Sequence, residues 1–259
     1  MDKKLLLTFE AYSQIKHDQP YFYFVKSKDQ ILYFFGSNHT KDINNPQFKQ
    51  LNDKWQEFLH ETVGKKSVVF YEGNIKTDEE IPLEKFIEKY GESGVMVFWA
   101  NQAKVKLIRP EMKEEESIIE LLKFFSKEEV FYFYMIRAIG QWQRMKVRKN
   151  FDDFINFNLN RYKNLFNLSS FDFSFENFKK INGKILGKEF NLEDMSLPRV
   201  SSPMFYDTKI NEIARTLTTI RNVYMLNQIE KYWLDGYNIF IIFGGSHAVM
   251  QEAAIKSLI

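Results

Sequence analysis

Two of the four histidines in this 259-residue chain stand in the same local setting, an apolar run followed by Gly-x-x-His. They are Gly36-Ser37-Asn38-His39 and Gly244-Gly245-Ser246-His247. A neutral imidazole near pH 7 is a competent general base, and a carboxylate beside it fixes its tautomer. The composition alone predicts about 0.17 such motifs anywhere in the chain, so two are informative. The spacing predicts that glycine turns the chain sharply off a strand end, where a Cβ would clash, and that the imidazole three residues on points over the sheet edge. Glu72 follows the run Ser67–Tyr71, and Glu111 follows Val105–Ile108 and Arg109-Pro110. Four runs therefore end in an ionisable group, His39, Glu72, Glu111 and His247, which should converge on one crevice if the runs are parallel strands. The plainer reading makes Glu72 and Glu111 solvated loop carboxylates at the starts of the next helices.

Arginine supplies the complementary chemistry. The stripe Ala214, Leu217, Tyr224 and Gln228 keeps helical spacing only if Arg221 belongs to it, and an inward arginine needs a carboxylate or an anionic ligand. Arg221 is thus either a structural ion-pair partner or a group that stabilises an oxyanion or a substrate carboxylate. Arg137 and Gln141 pose the same question on an apolar helix and are candidate substrate-binding residues. Two imidazoles with carboxylates would also suit a divalent metal such as Mn or Zn. His17 and His60 have no motif around them and read as surface or helix-end histidines.

Composition excludes several alternatives. Lys+Arg number 36 against 34 Asp+Glu, a net charge of +2, which supplies no basic field for nucleic acid. The absence of Cys removes disulfides, thiolate metal sites and cysteine nucleophiles. No Gly-x-Ser-x-Gly elbow, P-loop, Rossmann glycine fingerprint or His-Glu-x-x-His occurs. The N-terminal Leu5-Leu6-Leu7 is too short for a secretory segment, and no run approaches membrane-spanning length. The expectation is a cytoplasmic protein with a small-molecule or peptide substrate, no nucleic-acid or membrane partner, and room for an oligomer.

The elements that must position these residues read as an alternation. Tyr21–Val25 and Ile31–Phe35 form a hairpin of strands; Asn45-Pro46 starts a helix that ends near Gly64; Ser67–Tyr71 is a buried strand. Pro82 to Tyr90 and Val95 to Ala103 are helical on either side of Gly91-Glu92-Ser93-Gly94, and Val105–Ile108 is a strand. Ser126 with Glu129 forms a capping box for a helix to about Lys146, apolar all round at Val130–Ile136. Thr208 caps a long helix to Asp235, stopped by Gly236; Asn238–Phe243 is the last strand, and a closing helix follows His247. The expected fold class is α/β: one domain over 1–259 with a mainly parallel central sheet flanked by helices, carrying a mainly helical insertion or lid at 150–205.

Phe35–Thr40, Val69–Gly73, Ile220–Met225 and Phe243–His247 together resemble the superfamily that joins erythromycin esterase, ChaN-like proteins and the TraB/GumN/Tiki proteins. The similarity spans most of residues 30 to 259, and Gly91-Glu92 and Pro110-Glu111 look like positions favoured in its small bacterial members. The resemblance implies paired α/β halves with His39, Glu72, Arg221 and His247 as catalytic candidates in a shared cleft, and Glu92 and Glu111 as further substrate-binding candidates. Its chemistry is split among metal-dependent proteases, metal-independent esterases that use His as base, and haem-iron binders. The leading expectation is a hydrolase of ester or amide bonds, either metal-free or dependent on a divalent metal. The alternative is a non-enzymatic small-ligand or haem-binding protein of the ChaN-like type.

Overall fold

A computed structural model describes residues 1–76 and 81–259 and gives an α/β protein with a mainly parallel sheet flanked by helices. The chain divides into two compact units, a sheet unit of residues 1–111 and 222–259 and a helical unit of residues 112–221.

The sheet unit begins with a short helix α1 (Phe9–Ser13) and the antiparallel hairpin β1 (Tyr21–Lys26) and β2 (Ile31–Ser37). Helix α2 (Gln47–Glu61), strand β3 (Ser67–Tyr71), helix α3 (Leu83–Gln102) and strand β4 (Lys106–Ile108) follow. The helical unit then supplies α4 (Glu114–Leu121), α5 (Lys127–Gln143), α6 (Phe151–Phe166), α7 (Phe175–Leu186), α8 (Leu197–Val200) and the start of α9 (Lys209–Leu234). The remainder of α9, strand β5 (Asn238–Gly244) and helix α10 (Gly245–Lys256) belong to the sheet unit.

Strand order is β1-β2-β5-β3-β4, with β5 inserted between β2 and β3, and β2, β5, β3 and β4 all parallel. Every residue of β2 and of β5 is buried, which is why both read as unbroken apolar runs: helices cover both faces. Side chains alternate between those faces with period two. Tyr33, Phe35, Val69, Tyr71, Phe240 and Ile242 join Trp55 and Phe58 of α2 and Val95 to Val97 of α3 in one core. Phe34, Phe70, Ile241 and Phe243 join Met225 and Ile229 of α9 and Ala248 and Ala254 of α10 in the other. A one-residue slip of β2 would exchange these two sets, so burial on both sides fixes its register.

Several local expectations are met and several shift. Ser126 and Glu129 form the capping box of α5, but the helix stops at Gln143 rather than near Lys146, with Arg144 as its C-cap. Thr208 Oγ1 accepts from Asn211 N at the start of α9, and Gly236 adopts φ +82° after its end. Helical segments lie on either side of Gly91 as expected, joined within α3 by a non-helical break at Gly91 (φ 65°, ψ −145°), but the second segment starts directly after it rather than at Val95. The helical part is larger than the expected insertion at 150–205, because α4, α5 and the start of α9 share its core. Long aliphatic and aromatic stretches such as Val130–Ile136 do not reveal which neighbours enclose them, which is why that boundary escapes the sequence. Among the described residues no helix is long and apolar enough to cross a membrane.

Candidate functional site

The four parallel strands bring their carboxyl ends to one edge of the sheet, and His39, Glu72, Glu111 and His247 follow those ends. Alternation along β2 decides what lies there. Ser37 faces the α3 side and Gly36 the α10 side, because their neighbours Phe35 and Phe34 belong to those two cores.

On the α3 side a polar cluster forms around Glu92. His39 Nδ1 lies 2.5 Å from Glu92 Oε1, Ser37 Oγ donates to the same oxygen at 3.0 Å, and Thr40 N donates to Oε2 at 3.3 Å. The carboxylate side chain is 5% exposed and the imidazole 67% exposed. Gly91 makes this possible: its left-handed backbone turns α3, and a Cβ there would lie 2.7 Å from Thr40 O. Asn38 is pinned by Gln47, whose Oε1 accepts from Asn38 N and whose Nε2 donates to Asn38 O. The hydrogen bond to Glu92 raises the His39 pKa above its ordinary 6.5, against the opposing effect of burial, with Glu72 adding to the rise. Glu92 is held below its ordinary 4.5: the bond to His39 and the backbone donors outweigh burial.

His39 Nε2 faces Gly244, the last residue of β5. A Cβ on Gly244 would lie 3.0 Å from Nε2 and 3.7 Å from Glu72 Oε2, and Gly244 N donates to that oxygen at 2.9 Å. His39, Glu72 and Glu92 are therefore brought together, with Gly244 as the floor between them. Glu111 lies one strand further on, where its Oε2 accepts from Gly73 N and Arg109 Nε, both at 2.9 Å. Glu72 and Glu111 thus each tie their own strand end to the next.

On the other side of the sheet His247, in the first turn of α10, packs edge-on against Phe243 at 5.8 Å. Its Nδ1 lies 2.5 Å from Asn222 Oδ1, which also accepts from Gln251 Nε2 at 2.9 Å. Since that oxygen only accepts, Nδ1 carries the hydrogen. Each imidazole is oriented through Nδ1, His39 by a carboxylate and His247 by an amide.

One expectation needs correction. Gly36 and Gly244 do not turn the chain, since both lie within strands and neither has positive φ. They are glycines because the chain passes too closely for a side chain. A Cβ on Gly36 would lie 2.6 Å from Ala248 Cβ and 3.0 Å from Tyr21 O. The motif marks close packing of α10 on β2 and of His39 on β5.

Of the other candidates, Arg221, Arg137 and Gln141 belong to the helical unit. Arg221 is half-buried on α9, and its charge lowers the pKa of Arg137, which desolvation lowers most. Ser37, Asn222 and Gln47 join the site without being sequence candidates. Ser37 and Asn222 lie inside the quoted motifs, Asn222 next to Arg221, whereas nothing in the sequence marks Gln47. His17, expected at the surface, has Cε1 3.9 Å from where a Gly245 Cβ would lie and hydrogen-bonds Tyr12 through Nε2 at 3.2 Å. Nothing around His17 in the sequence foretells this approach.

Among the described residues no group of three or more His, Asp or Glu side chains is arranged to hold a metal ion. In comparisons with known proteins, no family model matches the chain, and neither a curated protein nor a solved structure gives a significant match.

Proposed function

We propose that the carboxyl edge of the sheet is a hydrolytic centre for ester or amide bonds, with His39 as general base and Glu92 as the group that orients it. The observation that carries this reading is the 2.5 Å contact between His39 Nδ1 and a buried Glu92, which turns Nε2 toward Gly244 and Glu72. In this reading Nε2 takes a proton from water as the water oxygen attacks the carbonyl carbon. The tetrahedral intermediate then collapses, and the proton passes from Nε2 to the departing alcohol or amine. Glu92 holds the Nδ1 hydrogen and favours the imidazolium formed in the attack.

Other features support the same reading. Ligands of open α/β sheets bind beyond the carboxyl ends of the strands, where these side chains stand. Helix α10 starts there with Gly244 as an N-cap that makes no side-chain hydrogen bond, so its first-turn N–H groups suit a developing oxyanion. The order of the two Gly-x-x-His motifs resembles the superfamily that contains erythromycin esterases, some of whose members use His as base without metal.

The test is turnover of a panel of ester and peptide substrates by the wild-type chain, the His39→Ala and Glu92→Gln variants, with and without chelator. Loss of activity in His39→Ala with no effect of chelator supports the reading. Intact activity in His39→Ala rejects it.

A further inference from the structure

The helical unit contains a cavity of about 620 Å³ lined by residues of α4, α5, α6 and the α8 region. That volume is in the range of small-ligand sites, roughly 300–1,000 Å³. Its lining is unusual for such a site. Ala138, Gly140 and Pro198 are the lining residues without a polar side chain; the remainder are charged, amide or hydroxyl groups. Apolar ligands gain nothing in a site of this kind, whereas a hydrophilic anion finds donors on several sides.

The donors come from helix periodicity. Arg137 and Gln141 of α5 and its C-cap Arg144 are spaced 4 and 3 apart, so they share one face of a helix whose other residues from Val130 on are buried. Gly140 allows the α8 region close to that face: a Cβ there would lie 3.3 Å from Pro198 Cγ and 3.5 Å from Arg144 Nη1. Arg161 of α6 lines the same space but is ion-paired with Glu114 at the start of α4. Among the described residues Arg137 and Arg144 make no ion pair. Three lining arginines and one lining glutamate leave a local charge of +2, carried by these two.

A second, independent feature points to a missing ligand. Tyr134 lines the cavity, is 4% exposed, and its hydroxyl has no hydrogen-bond partner. A buried hydroxyl without a partner costs stability unless something else supplies one. The charges acting on that hydroxyl are Glu114, Arg137 and Arg221, so it stands among the charged groups. Arg137 is in turn disfavoured in its charged form by desolvation and by Arg221, a repulsion that a bound anion would relieve.

We propose that this cavity binds a compact oxyanion with at least two negative charges, held by the guanidinium groups of Arg137 and Arg144 with Gln141 and the Tyr134 hydroxyl as further donors. Guanidinium forks match phosphoryl and carboxylate oxygens alike, so the chemistry shared by a phosphate ester and a polycarboxylate defines the ligand. All lining residues lie between Glu114 and Ser201, so the site stands or falls independently of the His39 reading.

The experiment is calorimetric titration of the full chain with pyrophosphate and, separately, citrate at constant ionic strength. Saturable 1:1 binding of at least one is expected, and the tighter one assigns the phosphoryl or the polycarboxylate class. Arg137→Gln and Arg144→Gln should each weaken it about tenfold or more, while Lys179→Gln on α7 changes it by less than about twofold. His39→Ala should bind as wild type does. Should an arginine variant misfold, phenylglyoxal labelling of the wild-type chain replaces it: the bound anion should slow modification of Arg137 and Arg144 in mapped peptides. Failure of both anions to bind, binding unmoved by both arginine substitutions, or labelling unprotected by either anion overturns the proposal.

Discussion

The ends of β2 and β5 are neighbours in the sheet and carry the same Gly-x-x-His pattern, yet they orient their imidazoles by different means. At the end of β2 the partner is a buried carboxylate, supplied by a helix that bends at Gly91 to deliver it. At the end of β5 the partner is the Asn222 amide of α9, itself braced by Gln251. An amide fixes the ring's tautomer and direction, whereas a carboxylate also stabilises the charged form. The lesson is that one motif can be used twice, once for an ionisable pair suited to proton transfer and once for a ring held in place.

The largest expected effect separates the two histidines. On any ester or peptide that the chain hydrolyses, His39→Ala lowers kcat/KM by about 10²- to 10⁴-fold, and His247→Ala by about tenfold. Steady-state kinetics of the two variants checks this, and equal losses would abolish the distinction.

Glu92→Gln sharpens it next. The wild-type chain should show an acid limb in its pH–rate profile with a midpoint above 6.5, since His39 must be neutral to accept a proton and its pKa is raised. Removing the carboxylate takes away the largest cause of the rise and leaves burial, which lowers it. The limb of Glu92→Gln should therefore move to lower pH, with the plateau rate reduced by about tenfold or more. Asn222→Leu should leave the limb where it is.

Two glycine substitutions test the backbone behind each site. Gly91→Ala forces a side chain into a left-handed conformation and against Thr40 O, and should cost about 2–4 kcal/mol. Gly36→Ala meets Ala248 of the helix packed on that face and should cost about 1–3 kcal/mol, partly restored by Ala248→Gly. Denaturant unfolding of the variants and the double variant measures both.

The smallest effect is the pH dependence of stability. The raised His39 pKa contributes stability that is complete below pH 6.5 and lost as pH rises through the higher folded value. The lowered Glu92 pKa contributes stability present above pH 4.5 and lost as pH falls through the lower folded value. The advantage of wild type over Glu92→Gln should peak between those two values. It should stay below about 1 kcal/mol, because water screens a ring that is two-thirds exposed. Thermal melts across pH 4 to 8 check the shape.

Much of this was legible in the chain itself. Apolar runs of four to six residues mark the strands, and turn and cap residues such as Ser126, Glu129 and Gly236 mark the start of α5 and the end of α9, because these are local effects of backbone sterics and hydrogen bonding. Histidines after strand ends marked the edge where His39 and Glu72 meet. The two glycines suggest turns in the sequence, because a sequence shows where Cβ is absent but not what approaches from a distant segment such as Ala248. For the same reason Glu92 stood out as a candidate but not as the partner of His39.

What the sequence determined by itself is the five strands, the helices α2, α3, α5, α9 and α10, and the burial of both sheet faces, since each follows from the types of residues close along the chain. The tertiary structure alone decided the insertion of β5 between β2 and β3, the pairing of each imidazole, and the gathering of Arg137 and Arg144 around one polar cavity. Those outcomes depend on side chains from distant segments meeting at 3 to 4 Å, and the free energy of such meetings is fixed by close packing and hydrogen-bond geometry that no local pattern encodes.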